Sequence, residues 1–195
     1  MLMSTHFTIA KSVIDNIDPT KSFFFSENNF IYGNLKPDAV SKYFLEKHYL
    51  DESYDMIKSK IEYLCNLTLD DISKYFSVSK ISQELGVICH FLCDFFCVAH
   101  SQRWKLNHSM SKHIIYEKEL HIAAKNTNLS KFKGDVISEG CFDTFFNKLY
   151  QEYITSIGCK NDLLFSTYIC NSVVNHILDC ILLNTANSYT LINCG

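Results

Sequence analysis

The sequence predicts an all-α fold, a single domain of about seven helices covering residues 1–195, on three observations. The 195 residues are 47% apolar and 20% charged, which suits one hydrophobic core rather than a disordered chain or a two-domain enzyme. Only 6 Gly and 2 Pro punctuate the chain, whereas a many-stranded fold needs turn residues about every 8–12 positions. Apolar residues recur at helical rather than alternating spacing in most segments.

The first helix is expected over 5–17, where Phe7, Ile9, Val13 and Ile14 are apolar and Asn16, Asp18 and Pro19 supply turn chemistry. Residues 20–38 hold Phe23, Phe24, Phe25, Phe30 and Tyr32 without a period. Gly33 and Pro37 argue against a continuous helix there, so a loop packed on the core is expected. Helices follow over 39–50 and 52–66, the second with Tyr54, Ile57, Ile61 and Leu64 on one face. A long element over 79–101 is apolar nearly all round and should be the central helix, with Gly86 permitting a close backbone approach. The next helix spans 109–125 with Asn107 and Ser109 as candidate caps. A polar, irregular stretch over 126–143 is the expected mobile loop, and helices over 144–157 and 161–185 complete the chain.

Charge and targeting signals exclude several classes. With 18 Lys+Arg against 21 Asp+Glu the net charge is -3 and no basic stripe occurs, so duplex nucleic acid is not an expected partner. The start, MLMSTHFTIAKSV, lacks the pattern of a signal peptide. The stretch Leu85 to Ala99 is too short to span a bilayer and carries His90 and Asp94, so a cytoplasmic location is expected. Nine Cys are an odd number, and Cys89, Cys93 and Cys97 recur along one helix, which suits reduced thiols packed as small apolar groups.

The chemistry sits in HFLCDFFCVAH and the helix after it. His90 and Asp94 are four apart, so their side chains share a helix face; His113 and Glu117 repeat the arrangement. On a continuous helix His100 would lie roughly 120° from Asp94, at about 100° per residue, and would face a neighbouring metal together with His113 and Glu117. Burying these ionisable groups without partners would cost several kcal/mol, a difficulty that a bound cation removes. Imidazole and carboxylate donors suit zinc, and three protein ligands leave a position for water. His108 and His121 are expected to be solvated or to support the ligands from behind, and His176 to be a core histidine. Trp104 and Phe23 to Phe25 are more simply core than lipid-contacting.

The order HxxxD, five residues, His, twelve residues, HxxxE resembles the signature of the bacterial zinc-dependent phospholipase C family. Thr5-His6 followed by FTIA is similar to the family's N-terminal histidine. GNLKPD, ending in Asp38, is similar to its loop aspartate, with His48 as the histidine that follows. The resemblance implies one zinc on Asp38, His48, His90 and Asp94, a second on His100, His113 and Glu117, and a third on His6 and a shared Asp94. Asp38, Asp94 and Glu117 would be the catalytic carboxylates. Secreted members expose an N-terminal tryptophan whose amine and carbonyl bind the third metal, whereas this chain carries MLMSTH there.

The same resemblance implies a helical bundle around two to three Zn²⁺ that cleaves a phospholipid headgroup phosphodiester, or another phosphodiester, with metal-activated water. Transient contact with a membrane surface is the expected partner interaction. Toxin members add a lipid-binding β-sandwich, for which 195 residues leave no room. Related fungal single-strand nucleases share much of the constellation but tend to carry aspartate where this chain has Glu117. A zinc-dependent nuclease and a non-catalytic zinc-stabilised binding protein are therefore the alternatives. Di-iron ExxH pairs, GxSxG, HExxH and P-loop patterns are all absent.

Overall fold

Burial organises the chain around one helix, α5 (Val78–Phe95), in which every residue from Leu85 onward is inaccessible to solvent. Ser77 caps it by accepting the Lys80 N–H at 3.1 Å. The computed structural model describes residues 1–39, 48–104, 110–138 and 141–193, the side chains of 191–193 excepted. Among them are nine α-helices and no strand: α1 (Met3–Ile14), α2 (Glu27–Ala39), α3 (Leu50–Cys65), α4 (Leu69–Tyr75), α5, α6 (Val98–Ser101), α7 (Met110–Lys125), α8 (Phe142–Ile154) and α9 (Cys159–Asn193). The all-α expectation holds, with more helices than anticipated. Most of the helix expected over 39–50, the caps Asn107 and Ser109, and His108 lie outside the described residues.

The expected loop over 20–38 is instead a 3₁₀ helix, Pro19–Phe24, followed by α2, with Pro37 inside its last turn. Gly33 is there for contact rather than for a turn. A Cβ on Gly33 would stand 2.1 Å from the Gln83 carbonyl oxygen, and one on Gly86 would stand 2.2 Å from the Phe30 carbonyl oxygen. The two glycines let α2 and α5 cross backbone to backbone. Phe24, Phe25, Phe30 and Trp104 are core residues, whereas Phe23 and Tyr32 are exposed.

Two further departures each turn on a helix cap, one set by a short local motif and the other by tertiary structure. α4 begins at a capping box in which the Thr68 side chain accepts the Asp71 N–H and the Asp71 carboxylate accepts the Thr68 N–H. The expected helix over 79–101 breaks at Phe96 and Cys97, where Cys97 is extended (φ -120°, ψ 119°), and restarts as α6. The restart is capped by Asp162, whose carboxylate accepts the Val98 N–H at 2.9 Å.

α9 lies along α5 and buries Ile169, Cys170, Val173, Val174, Ile177 and Ile181, spaced at three and four as a core-facing stripe requires. Cys89, Cys93 and Cys97 are buried free thiols, and Cys93 Sγ lies 3.6 Å from Cys170 Sγ. The polar stretch after α7 is fastened rather than loose: Asn171 Nδ2 donates to the Phe132 carbonyl at 2.7 Å and the Asp135 N–H donates to Ser172 Oγ at 2.9 Å. Gly134, at φ +80°, permits that close pass over α9. Among the described residues no helix is long and apolar enough to cross a membrane.

Candidate metal centre

Six stretches of chain deliver ionisable side chains to one end of α5. α1 brings His6, the end of α2 brings Asp38, and the residues before α3 bring His48. α5 brings His90 and Asp94, α6 brings His100, and α7 brings His113 and Glu117. All eight residues singled out by the sequence therefore converge. Donor atoms of His48, His90 and Asp94 lie within 4.8 Å of one another, as do those of His6, Asp38 and His90, and those of His100, His113 and Glu117.

Asp94 is the hub. Its Oδ1 lies 3.4 Å from His6 Nε2 and 3.6 Å from His100 Nε2. Its Oδ2 lies 2.7 Å from His48 Nδ1 and 3.4 Å from His90 Nε2. Asp38 Oδ1 stands 3.7 Å from His90 Nε2 and 3.9 Å from His48 Nδ1. Glu117 Oε1 stands 3.0 Å from His113 Nε2 and 3.2 Å from His100 Nε2. His100 thus touches Asp94 as well as Glu117. Its donor atom groups with those of His113 and Glu117, and the break at Cys97 also brings its ring within 3.6 Å of Asp94, which an unbroken helix would not do.

The supports of these side chains explain their aim. His90 Nδ1 donates to the Asn34 carbonyl at 2.8 Å, which fixes the tautomer and presents Nε2 to the cluster. The His6 ring stacks on His90 at 4.0 Å between centroids. Asp162 is the support that sequence patterns miss. Besides Val98 it accepts the Tyr116 hydroxyl at 2.8 Å and the Tyr153 hydroxyl at 2.9 Å, so α6, α7, α8 and α9 meet on one buried carboxylate. Its signal in the sequence is a lone acid four residues after Gly158, and its partners are 9 to 64 positions away.

Electrostatics follow from this crowding. Burial opposes ionisation of Asp94, but His100, the Met1 ammonium and His6 more than reverse it and hold the carboxyl well below its usual range. Burial also opposes ionisation of Glu117, and bonds from His100 and His113 hold it far down. Burial keeps His90 and His100 neutral. For His6 burial is outweighed by the Asp94 charge, which raises it to about 9. The Met1 α-amine, which the ligand pattern alone does not include, lies 2.9 Å from His100 Nε2 and 3.3 Å from Glu117 Oε1. It is raised to about 11 by Asp94 and Glu117 against the cost of burial.

The donor set fits zinc. His90 Nε2 faces His48 Nδ1 at 3.1 Å, nitrogen to nitrogen, and neither buried nitrogen of His6 has a hydrogen-bond partner. Imidazole nitrogens brought together around carboxylates in an interior are stabilised by a shared cation. Two other described histidines stand apart from this set: His121 is half-buried on α7, and His176, expected in the core, is half-buried at the wall of a separate cavity.

Comparison with curated proteins and with solved structures finds no significant match. The family model described as zinc dependent phospholipase C matches residues 5–160, a span that contains the eight converging side chains. The chain belongs to the zinc-dependent phospholipase C family.

Proposed function

We propose that this phospholipase C-like hydrolase cleaves the headgroup phosphodiester of a phospholipid at a cluster of two to three zinc ions. The observation that carries the proposal is the two-sided contact of Asp94, one carboxylate oxygen toward His6 and His100 and the other toward His48 and His90. Asp38, His48, His90 and Asp94 would hold one ion; His100, His113 and Glu117 a second; His6 and Asp94 a third. Bound zinc would supply Lewis acidity toward the phosphate oxygens and lower the pKa of an attacking water toward about 7.

The chain's own residues then do three things. Neutral His90 and His100 offer lone pairs without competing positive charge. Asp94 and Glu117, ionised at neutral pH, bring less charge than two or three divalent cations carry, so the filled site attracts a phosphate anion although the polypeptide is acidic. Asp38 is the most exposed of the three carboxylates, 27% accessible against 0% for Asp94 and 10% for Glu117. It is the one that meets incoming water; it takes the water's proton as the oxygen attacks phosphorus and gives it to the glycerol-side oxygen as the phosphorus–oxygen bond breaks.

A cleft of about 480 Å³ reaches this end of α5 at His100 and provides the way in. Its wall includes Tyr49, Tyr54 and Tyr150, and Arg103, which stacks on Tyr49 at 4.4 Å and adopts φ +50°. The test is hydrolysis of phosphatidylcholine vesicles by the zinc-loaded chain, with phosphorylated headgroup measured in the supernatant. Release that stops with chelator and returns with zinc is expected. Cleavage of single-stranded DNA with no headgroup release would replace the phospholipid with a nucleic-acid substrate.

A further inference from the structure

A cavity of about 580 Å³ shares no wall residue with the cluster around Asp94, and two thiols and an imidazole meet at its edge. His176 and Cys180 are four apart on α9 and so share a face. Cys180 Sγ lies 3.8 Å from His176 Nε2 and 3.9 Å from Nδ1. Cys65, at the end of α3, completes a set in which the ligand atoms all lie within 4.8 Å of one another. We propose that Cys65, His176 and Cys180 form a second metal site, for a thiophilic cation such as zinc, cadmium or copper(I), with its remaining coordination position open to the cavity.

Spacing supports the proposal first. Tetrahedral zinc with sulfur at about 2.3 Å and nitrogen at about 2.0–2.1 Å sets sulfur and nitrogen roughly 3.5–3.6 Å apart, close to the 3.8 Å already present between Cys180 Sγ and His176 Nε2. The third donor is fixed in place. Asn184 Nδ2, one turn beyond Cys180, donates to the carbonyls of Cys65 at 2.7 Å and Leu67 at 3.3 Å, and the Leu69 N–H donates to Thr185 Oγ1 at 2.9 Å. The end of α3 is thereby stapled to α9 beside the two other donors, so little ordering is left for metal binding to do.

The surroundings support it further. The wall carries Glu62, Asp143 and Asp179 against Lys58 and against Lys21, which pairs with Asp179 at 2.7 Å, so one negative charge is left over to favour a cation. The buried thiols of the core, Cys89, Cys93 and Cys170, line no such opening and have no imidazole in a ligand set. Two thiolates and one imidazole make a softer set than the imidazoles and carboxylates around Asp94, so the two sites should sort cations differently. The inference is independent of the reaction proposed above.

The experiment is a cadmium titration of the reduced, zinc-loaded full chain, followed by the ultraviolet thiolate-to-cadmium charge-transfer band. The cluster around Asp94 has no thiolate in its ligand sets, and serine variants separate the second site from other free thiols such as the exposed Cys141. A band that saturates near one cadmium per chain is expected, lost in both Cys65→Ser and Cys180→Ser. In His176→Gln it should remain but require at least about 10-fold more cadmium. Far-UV circular dichroism shows whether each variant is folded, and an unfolded serine variant leaves His176→Gln to decide. No band in the wild type, a band untouched in folded serine variants, or unchanged affinity in His176→Gln would overturn the proposal.

Discussion

The backbone N–H of Val98 donates to the carboxylate of Asp162 at 2.9 Å, and by that bond a residue on α9 decides where α6 begins and where His100 points. Burial raises the Asp162 carboxyl to about 6 despite bonds from Val98, Tyr116 and Tyr153.

That shift has a sign. A carboxyl with a folded pKa of about 6 and an ordinary value of 3.8 binds more protons folded than unfolded between those limits. Its contribution to stability is therefore complete below 3.8 and is lost as pH rises through about 6, a loss of about 3 kcal/mol. Asp162→Asn removes this titration. Denaturant midpoints measured across the window should show wild type losing stability relative to the variant as pH rises; parallel curves would contradict the placement of Asp162.

Much of the site can be read from the sequence because its ligands repeat a local rule. His90 with Asp94, and His113 with Glu117, sit four apart, and a helix then puts each pair on one face whatever surrounds it. Asp38 and His48 belong to no such pair and become legible only through the order of the family pattern. The misreadings come from interactions distant in sequence. Gly33 and Pro37 suggest a loop until α5 is present, when Gly33 proves to be the contact that lets α2 approach Gln83. The break before α6 depends on an acid 64 residues away, which no window on the local sequence contains.

Gly86→Ala tests the helix crossing that carries Asp38 and His90. The added methyl meets the Phe30 carbonyl oxygen at 2.2 Å and the Asn34 nitrogen at 2.5 Å, both backbone atoms that can yield only if α2 moves. A loss of about 3 kcal/mol in urea unfolding is expected. Weaker zinc binding should accompany it, because the Asn34 carbonyl that orients His90 moves with α2. A change below about 0.5 kcal/mol would mean that the helices are not in this contact.

Zinc uptake should expel protons. Burial disfavours the charged His6 ring, yet Asp94 raises it to about 9 in the metal-free protein, so the ring is protonated at neutral pH and must lose that proton to bind a cation. Calorimetric titration of metal-free protein with zinc in buffers of different ionisation enthalpy should give heats that depend on the buffer. The dependence should shrink in His6→Gln. Equal heats in all buffers would remove His6 from the ligand set.

The most direct test is the zinc content of wild type beside Asp94→Asn, since Asp94 faces both His48 and His90 on one oxygen and His6 and His100 on the other. Elemental analysis after zinc loading and desalting, with Cys65→Ser in both proteins to remove the proposed second site, should find about two to three zinc per chain when Asp94 is present. At least one should be lost in the variant, with headgroup release abolished while far-UV circular dichroism remains helical. Equal zinc in the two folded proteins would contradict the shared role of Asp94 and the cluster built around it.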